Sequence, residues 1–208
     1  MPPEPNDDPS AETDISDNPE LPQFPPFPIA SSSRVYDSVW CALDRDEIEL
    51  PGGKLGEYHI FRIPDAVAVV PVTKDGDVIM VWQHRHPHGK THWEIPAGRC
   101  EPDETPRQSA LRELEEETGH RPGQLVKLPD FYPVNGISDH KAYVYLALDC
   151  EPTGTLNLDD GERLIVATRP VDEVRQELTD GSFEDGFTAI SLFYAFSKLD
   201  LQKDSSGD

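Results

Sequence analysis

Three glutamates, Glu113, Glu116 and Glu117, stand at i, i+3 and i+4 within the segment GRCEPDETPRQSALRELEEETG that runs from Gly98 to Gly119. On a helix that spacing gathers the three carboxylates on one face. Like charges so arranged destabilise the helix and raise one another's pKa values, so the segment calls for a compensating cation. A hard divalent ion such as Mg²⁺ takes oxygen ligands and keeps waters and substrate phosphates in its remaining positions. The chemistry this implies is metal-assisted attack of water on a phosphate, with the ion offsetting phosphate charge and activating the nucleophile. A Glu-rich helix by itself is more often an ordinary solvated face. Gly98, Glu104, Arg112 and Gly119, at fixed spacings around the triplet, favour the site.

The element that must position these groups is legible locally. Thr105 is a good N-cap, Pro106 suits the first helical position, and Gln108 completes a capping box. Gly119 is a natural C-terminal stop. A helix over 106–118 follows, with Ala110, Leu111 and Leu114 on the packing face. The carboxylates fall beside that face rather than opposite it, so they border a cleft where the helix meets a sheet. Arg112 is adjacent and can orient a carboxylate.

These residues resemble the Nudix box, Gly-x5-Glu-x7-Arg-Glu-U-x-Glu-Glu-x-Gly-U with U bulky and apolar. Gly98, Glu104, Arg112, Glu113, Leu114, Glu116, Glu117 and Gly119 match, and His120 stands at the last apolar position. The resemblance implies an α/β fold, the Nudix α/β/α sandwich with a mixed sheet, over 35–199. It implies hydrolysis of a nucleoside diphosphate linked to another moiety, with Mg²⁺ or Mn²⁺. Glu113, Glu116 and Glu117 would bind metal together with the carbonyl of Ala97, and Glu104 and Arg112 would support the geometry.

Flanking segments resemble the ADP-ribose pyrophosphatase branch: the strand-rich extension leading into Pro64-Asp65-Ala66-Val67-Ala68-Val69, Gln83-x-Arg85, the run Trp93 to Gly98, and Pro133 ahead of Ser138-Asp139. That branch implies a homodimer formed through the N-terminal sheet, and products AMP and ribose 5-phosphate. Arg62, Arg85 and Glu94 become candidate substrate contacts. The branch often carries Ser-Asp-Glu where this chain has Ser138-Asp139-His140, which opens the identity of the water-activating base. Glu116, Asp139, His140 and Glu162 are the candidates, and a neutral histidine can accept a proton near neutral pH. The altered loop also admits GDP-mannose or another nucleotide sugar.

The rest of the chain sets the frame. Residues 1–34 are rich in Pro, Asp, Glu and Ser and read as a disordered arm, 35–200 as the catalytic domain, and 201–208 as a flexible tail. Strands are expected over 35–43, 47–50 and 57–63, a small antiparallel sheet that, by the resemblance, would serve as a dimerisation element. Ala66 to Val72 reads as a central strand buried on both sides, and Asp75-Gly76 as a hairpin turn before 78–84. Further strands are expected over 124–128, 131–134, 141–148 and 163–168, and helices over 171–178 and 186–199. His84, His86 and His88 alternate at a strand end without an obvious fourth ligand, a weak metal pattern.

The net charge of −22, from 40 acidic and 18 basic residues, argues against binding a phosphate backbone. No apolar run is long enough to span a membrane, and no signal-peptide pattern opens the chain, so a cytoplasmic location is expected. Three cysteines without a Cys-x-x-Cys pair make neither a disulfide framework nor a zinc site. Two rivals share the fold: a non-catalytic nucleotide-sugar sensor, disfavoured by the intact carboxylates, and an isoprenoid diphosphate isomerase. The latter calls for a nucleophilic cysteine, and Cys100 is poorly placed for one.

Overall fold

The computed structural model describes residues 24–154, 156–158 and 163–205. Strands β1 (Ile29–Asp37), β2 (Ala42–Leu50) and β3 (Lys54–Arg62) form a small antiparallel sheet in the order β1-β2-β3. The second sheet has eight strands. Its path runs β11 (Leu164–Arg169), β5 (Val78–Arg85), β4 (Ala66–Thr73), β10 (Ala142–Pro152) and β8 (His120–Arg121). Strand β6 (Lys90–Glu94) pairs with β5, β7 (Ala97–Arg99) with β4, and β9 (Gln124–Lys127) with β10. Among the described residues only β4 and β10 run parallel, so the sheet is mixed.

β4 is the centre of the molecule, and its alternating side chains feed two cores. Val67 and Val69 join Ile79, Tyr145 and Ala147 under Ala110 and Leu114 of α1 (Pro106–Thr118). Ala68, Val70 and Val72 join Met80, Val144 and Leu146 on the other face. There they meet Val174 of α2 (Val171–Thr179) and Leu192, Ala195 and Phe196 of α3 (Gly186–Ser205). Helices on both faces of a mixed sheet make an α/β/α sandwich with a small sheet appended, as expected. The near-continuous apolar run of β4 is what burial on both faces requires.

Several boundaries differ from expectation for physical reasons. β1 starts at Ile29, inside the segment read as an arm, and every one of its residues is exposed. Its polar Ser-rich stretch is carried by pairing with β2 and gives no burial pattern to read. β6 and β7 are too short and polar for periodicity to reveal. The segment Phe131–Val134 is a single bridge, Phe131 to Ala142, followed by a turn rather than a strand. β10 continues to Pro152 through Asp149, which adopts a left-handed φ of 53°. α3 runs to Ser205, beyond the expected start of the tail.

The small sheet is tied to the loop before β10. Tyr58 donates to the carbonyl of Gly136 at 2.6 Å, the Phe61 N–H to Ile137 at 2.7 Å, and Ser138 Oγ to the Phe61 carbonyl at 2.7 Å. Pro64 and Asp65, which leave β3, therefore stand at a junction. Asp65 accepts from the Lys141 N–H and from the Tyr143 hydroxyl, and its carbonyl accepts from the Cys100 N–H.

Candidate active site

α1 forms where the local signals place it. Thr105 accepts from the Gln108 N–H, Gln108 reaches back to the Thr105 N–H, and Gly119 ends the helix at φ 66°. Its carboxylate face lies against β7. Glu113 and Glu117 are buried, at 8 % and 3 % exposed, deeper than a cleft-bordering face alone would imply. Glu117 Oε2 accepts from the Ala97 N–H at 3.0 Å. Gly98 has no side chain because there is no room for one: a Cβ there would sit 2.1–2.3 Å from the Glu113 carboxylate.

Arg112 binds this acidic group together. Its Nε donates to both oxygens of Glu104 at 3.1 Å. Nη1 donates to Glu113 Oε1 at 2.8 Å and Glu116 Oε2 at 3.0 Å, and Nη2 to the Arg99 carbonyl at 3.0 Å. Burial works against the guanidinium charge, but the field of Glu113 and the hydrogen bonds to Glu113, Glu116 and Glu104 outweigh it and push its pKa higher still. Glu104 also accepts from Ser109 Oγ at 2.7 Å. That bond first, and Arg112 with it, holds Glu104 below the ordinary carboxylate range.

A cleft of about 390 Å³ opens beside Ala97 and Gly98. Its walls include Arg85, Glu94, His88, His92, Asp185, Phe187 and His140. Arg85 forks onto Glu94: Nε reaches Oε1 at 2.9 Å and Oε2 at 3.1 Å, and Nη2 reaches Oε2 at 2.6 Å. Burial opposes the charge of Arg85, but Glu94 more than offsets it and the guanidinium pKa rises. His140 is buried, and its Nδ1 lies 2.7 Å from the Pro64 carbonyl. A carbonyl only accepts, so Nδ1 carries the proton and Nε2 of the neutral ring presents a lone pair.

The expected site residues divide into groups. Ala97, Arg112, Glu113, Glu116 and Glu117 come together at the junction of α1 and β7. Arg85, Glu94 and His140 line the adjoining cleft. Arg62 and Asp139 do not line it. They pair with each other, and Arg62 Nε also donates to Asp44 at 3.0 Å. Arg62 belongs to a neighbouring cavity of about 300 Å³ with Arg34 and Trp40, sharing Ile63 and Pro64 with the main cleft. Glu162 lies outside the described residues. Sequence reasoning passed over Ser109, which anchors Glu104, and His92, Asp185 and Phe187 in the cleft wall. Ser109 lay in the open, one turn from Thr105. The other three are joined to the site only by the fold.

The donor chemistry suits a hard divalent ion, since three carboxylates and a backbone carbonyl offer oxygen alone. The cradle at Gly98 keeps the Glu113 carboxylate against the β7 backbone, where any larger residue would displace it. Among the described residues no three His, Cys, Asp or Glu side chains already converge as a closed cage. Arg112 instead supplies positive charge between Glu113 and Glu116. Burial pushes the Cys100 thiol pKa up, away from the thiolate that a nucleophile requires.

Comparison with known proteins agrees with this geometry. Residues 62–189 match the NUDIX domain, and residues 29–61 match the Nucleoside diphosphate sugar hydrolase N-terminal domain. The chain is 37% identical over 158 residues to the ADP-ribose pyrophosphatase of Bacillus subtilis (strain 168), covering 76% of this chain and 85% of that protein. It is equally 37% identical over 164 residues to the methanol dehydrogenase activator of Bacillus methanolicus, covering 78% and 89%. A solved structure described as an ADP compounds hydrolase superposes with a TM-score of 0.77 at 23% identity, covering 88% of this chain and 98% of that one. That last likeness speaks to the fold.

Proposed function

The chain belongs to the Nudix family of hydrolases, whose members use divalent metal ions, and from that premise we propose that it hydrolyses the diphosphate linkage of a nucleoside diphosphate sugar. The substrate favoured is ADP-ribose, cleaved to AMP and ribose 5-phosphate. The observation that carries this reading is the buried pair Glu113 and Glu117, clamped against Ala97 and Gly98 at the mouth of a cleft that also holds Arg85. The N-terminal match to a nucleoside diphosphate sugar hydrolase domain supports the substrate class.

In this reading Ala97, Glu113, Glu116 and Glu117 hold Mg²⁺, with Mn²⁺ as a substitute. A divalent ion held there would offset diphosphate charge and lower the pKa of water. The protein's own groups do the rest. Arg112 fixes the carboxylates, Arg85 offers its guanidinium to a phosphate oxygen, and Glu94 orients Arg85. Of the three candidates among the described residues, His140 Nε2 is the proton acceptor: it lines the cleft, whereas Asp139 is committed to Arg62 and Glu116 to Arg112. Water oxygen attacks one phosphorus, the bond from that phosphorus to the bridging oxygen breaks, and the proton of the water passes to Nε2.

Arg62, beside Trp40 in the adjoining cavity, serves a more distal part of the substrate. The first strand of the domain begins at Ile29 and its last helix runs to Ser205; residues 1–23, most of the segment read as an arm, lie outside the described residues. The exposed outer strand β1 fits a homodimer made through the small sheet. No helix among the described residues is long and apolar enough to cross a membrane, and a cytoplasmic site of action is part of the proposal. A hydrolysis panel of ADP-ribose, ADP-glucose, GDP-mannose, NADH and diadenosine polyphosphates, with products identified, tests the assignment. Turnover of ADP-ribose to AMP and ribose 5-phosphate above the others is expected. A strong preference for a nucleoside triphosphate would remove it.

A further inference from the structure

One buried polar atom in the cleft wall takes no part in the hydrolytic chemistry. His92 Nε2 is enclosed and makes no hydrogen bond among the described residues. Yet it lies only 3.0 Å from Glu94 Oε1. The same carboxylate, 3 % exposed as a side chain, receives the fork of Arg85 from the other side. Glu94 is thus a single buried acceptor between a permanent cation and an imidazole.

The two protonation states of the ring differ sharply here. A neutral ring that turns its Nε2 lone pair to Glu94 is repelled by the carboxylate, and a neutral Nε2–H gives at most a misaligned contact. A protonated ring places a full positive charge against Glu94, in a setting where few waters compete. Proton uptake therefore shares a carboxylate that Arg85 otherwise holds alone. Both consequences run in one direction. Arg85 is held less tightly by Glu94, and the cleft gains a positive charge, so a diphosphate is bound more firmly when the ring is charged.

The other charged groups around the ring are compatible with this. His88, in the turn between β5 and β6, meets His92 edge to face with ring centroids 6.3 Å apart. Glu184, ahead of α3, feels the charge of both histidines and is paired with Lys90 Nζ at 2.6 Å. Asp185 faces the same cleft and, with Glu94 and Glu117, acts on Arg85. On the neighbouring strand the register partner of His92 is Gln83, which is uncharged. The carboxylates favour a charged ring and His88 opposes it when itself charged; among the described carboxylates Glu94 is the one within 4 Å of His92 Nε2.

We propose that His92 is a positioning residue which, through Glu94, sets how freely Arg85 can grip an anionic diphosphate, and makes that grip stronger as pH falls through the imidazole range. The proposal rests on the reading of this cleft as a diphosphate site, and not on which sugar nucleotide fills it. An imidazole changes charge between about pH 5 and 8, so the range spans the physiological one.

Inorganic pyrophosphate is the probe, titrated calorimetrically into the full chain at about pH 6 and about pH 8 with the same excess of Mg²⁺ in every titration. The ligand's own titration is common to all variants, so the comparison is between ratios. The wild-type ratio of affinities, low pH over high, is expected to exceed that of H92Q by about threefold or more. H92F, which keeps a ring of similar size, should behave as H92Q does and stands in for it if H92Q does not fold. Equal ratios in wild type and the folded variant overturn the proposal. A second readout needs no ligand: the His92 ring followed by NMR over the same range, in wild type and in E94Q. Its titration should move to lower pH in E94Q, and no movement overturns the proposal too. Pyrophosphate binding nowhere in the cleft, with His92 and Glu94 still coupled by NMR, would instead sink the diphosphate reading.

Discussion

Gly98 and Glu113 approach so closely that a single methyl group on residue 98 would lie 2.1 Å from the Glu113 carboxylate carbon. The strand backbone and the helix side chain are therefore fitted to each other, with glycine as the only residue that permits it. G98A should push the Glu113 carboxylate out of position with little effect on the two cores. A displacement of about 1 Å at a catalytic group costs on the order of 10²-fold in rate, and kcat on ADP-ribose reads it. The double variant G98A/E113D, with one methylene fewer, should recover part of the loss. Wild-type kcat in G98A would show that the close fit has no catalytic meaning.

Ser109 and Glu104 carry a pH-dependent share of the stability. The folded-state pKa of Glu104 is depressed, first by Ser109 and then by Arg112. A depressed carboxylate contributes stability above its unfolded value, near 4.3, and that contribution is lost as pH falls through the folded value. Replacing Ser109 by alanine removes a hydrogen bond to a charged group that is one-quarter exposed, which is worth about 1 kcal/mol after solvent screening. Urea denaturation should show that deficit for S109A at pH 7 and a smaller one near pH 3. A deficit that is constant with pH would mean the hydroxyl acts by packing alone.

How much of this was legible depended on how local the cause was. α1 declared itself because Thr105, Pro106, Gln108 and Gly119 all lie within it or at its two ends. β4 did so because burial on both faces leaves an unbroken apolar run. β1 did not, since Ser31, Ser32 and Ser33 are exposed and placed by pairing with Glu47, Asp46 and Arg45 of β2. The triplet Glu113, Glu116 and Glu117 was visible as spacing, whereas its true neighbour, the N–H of Ala97, is 20 residues away in sequence. The bond from Arg62 to Asp139 spans 77 residues, and nothing in either segment announces it. Such contacts belong to topology, which a local pattern does not encode.

Arg112 answers to Glu104, Glu113, Glu116 and the Arg99 carbonyl at once. A lysine keeps the charge but not the planar fork. R112K should lower stability by about 1–3 kcal/mol and lower kcat more than it raises KM. Urea denaturation and steady-state kinetics check the two parts. Full activity in R112K would show that charge alone is enough.

The neighbours Asp139 and His140 should behave oppositely. H140Q is expected to lower kcat by about 10²-fold or more, the usual contribution of a general base. D139N removes an exposed ion pair with Arg62 and should leave kcat within about threefold. The base must be neutral to act, so the wild-type pH–rate profile should carry an acidic limb. H140Q should lose that acidic limb. A pH–rate profile that is unchanged in H140Q would transfer the role to another group.

The central claim is that carboxylates of α1, set against Ala97 and Gly98, drive hydrolysis of a nucleoside diphosphate sugar. Wild-type protein and E117Q, each incubated with ADP-ribose and Mg²⁺, test it most directly, with AMP and ribose 5-phosphate quantified by chromatography. Equimolar products from wild type and a loss on the order of 10²-fold in E117Q are predicted. Near-normal hydrolysis by E117Q would contradict the account.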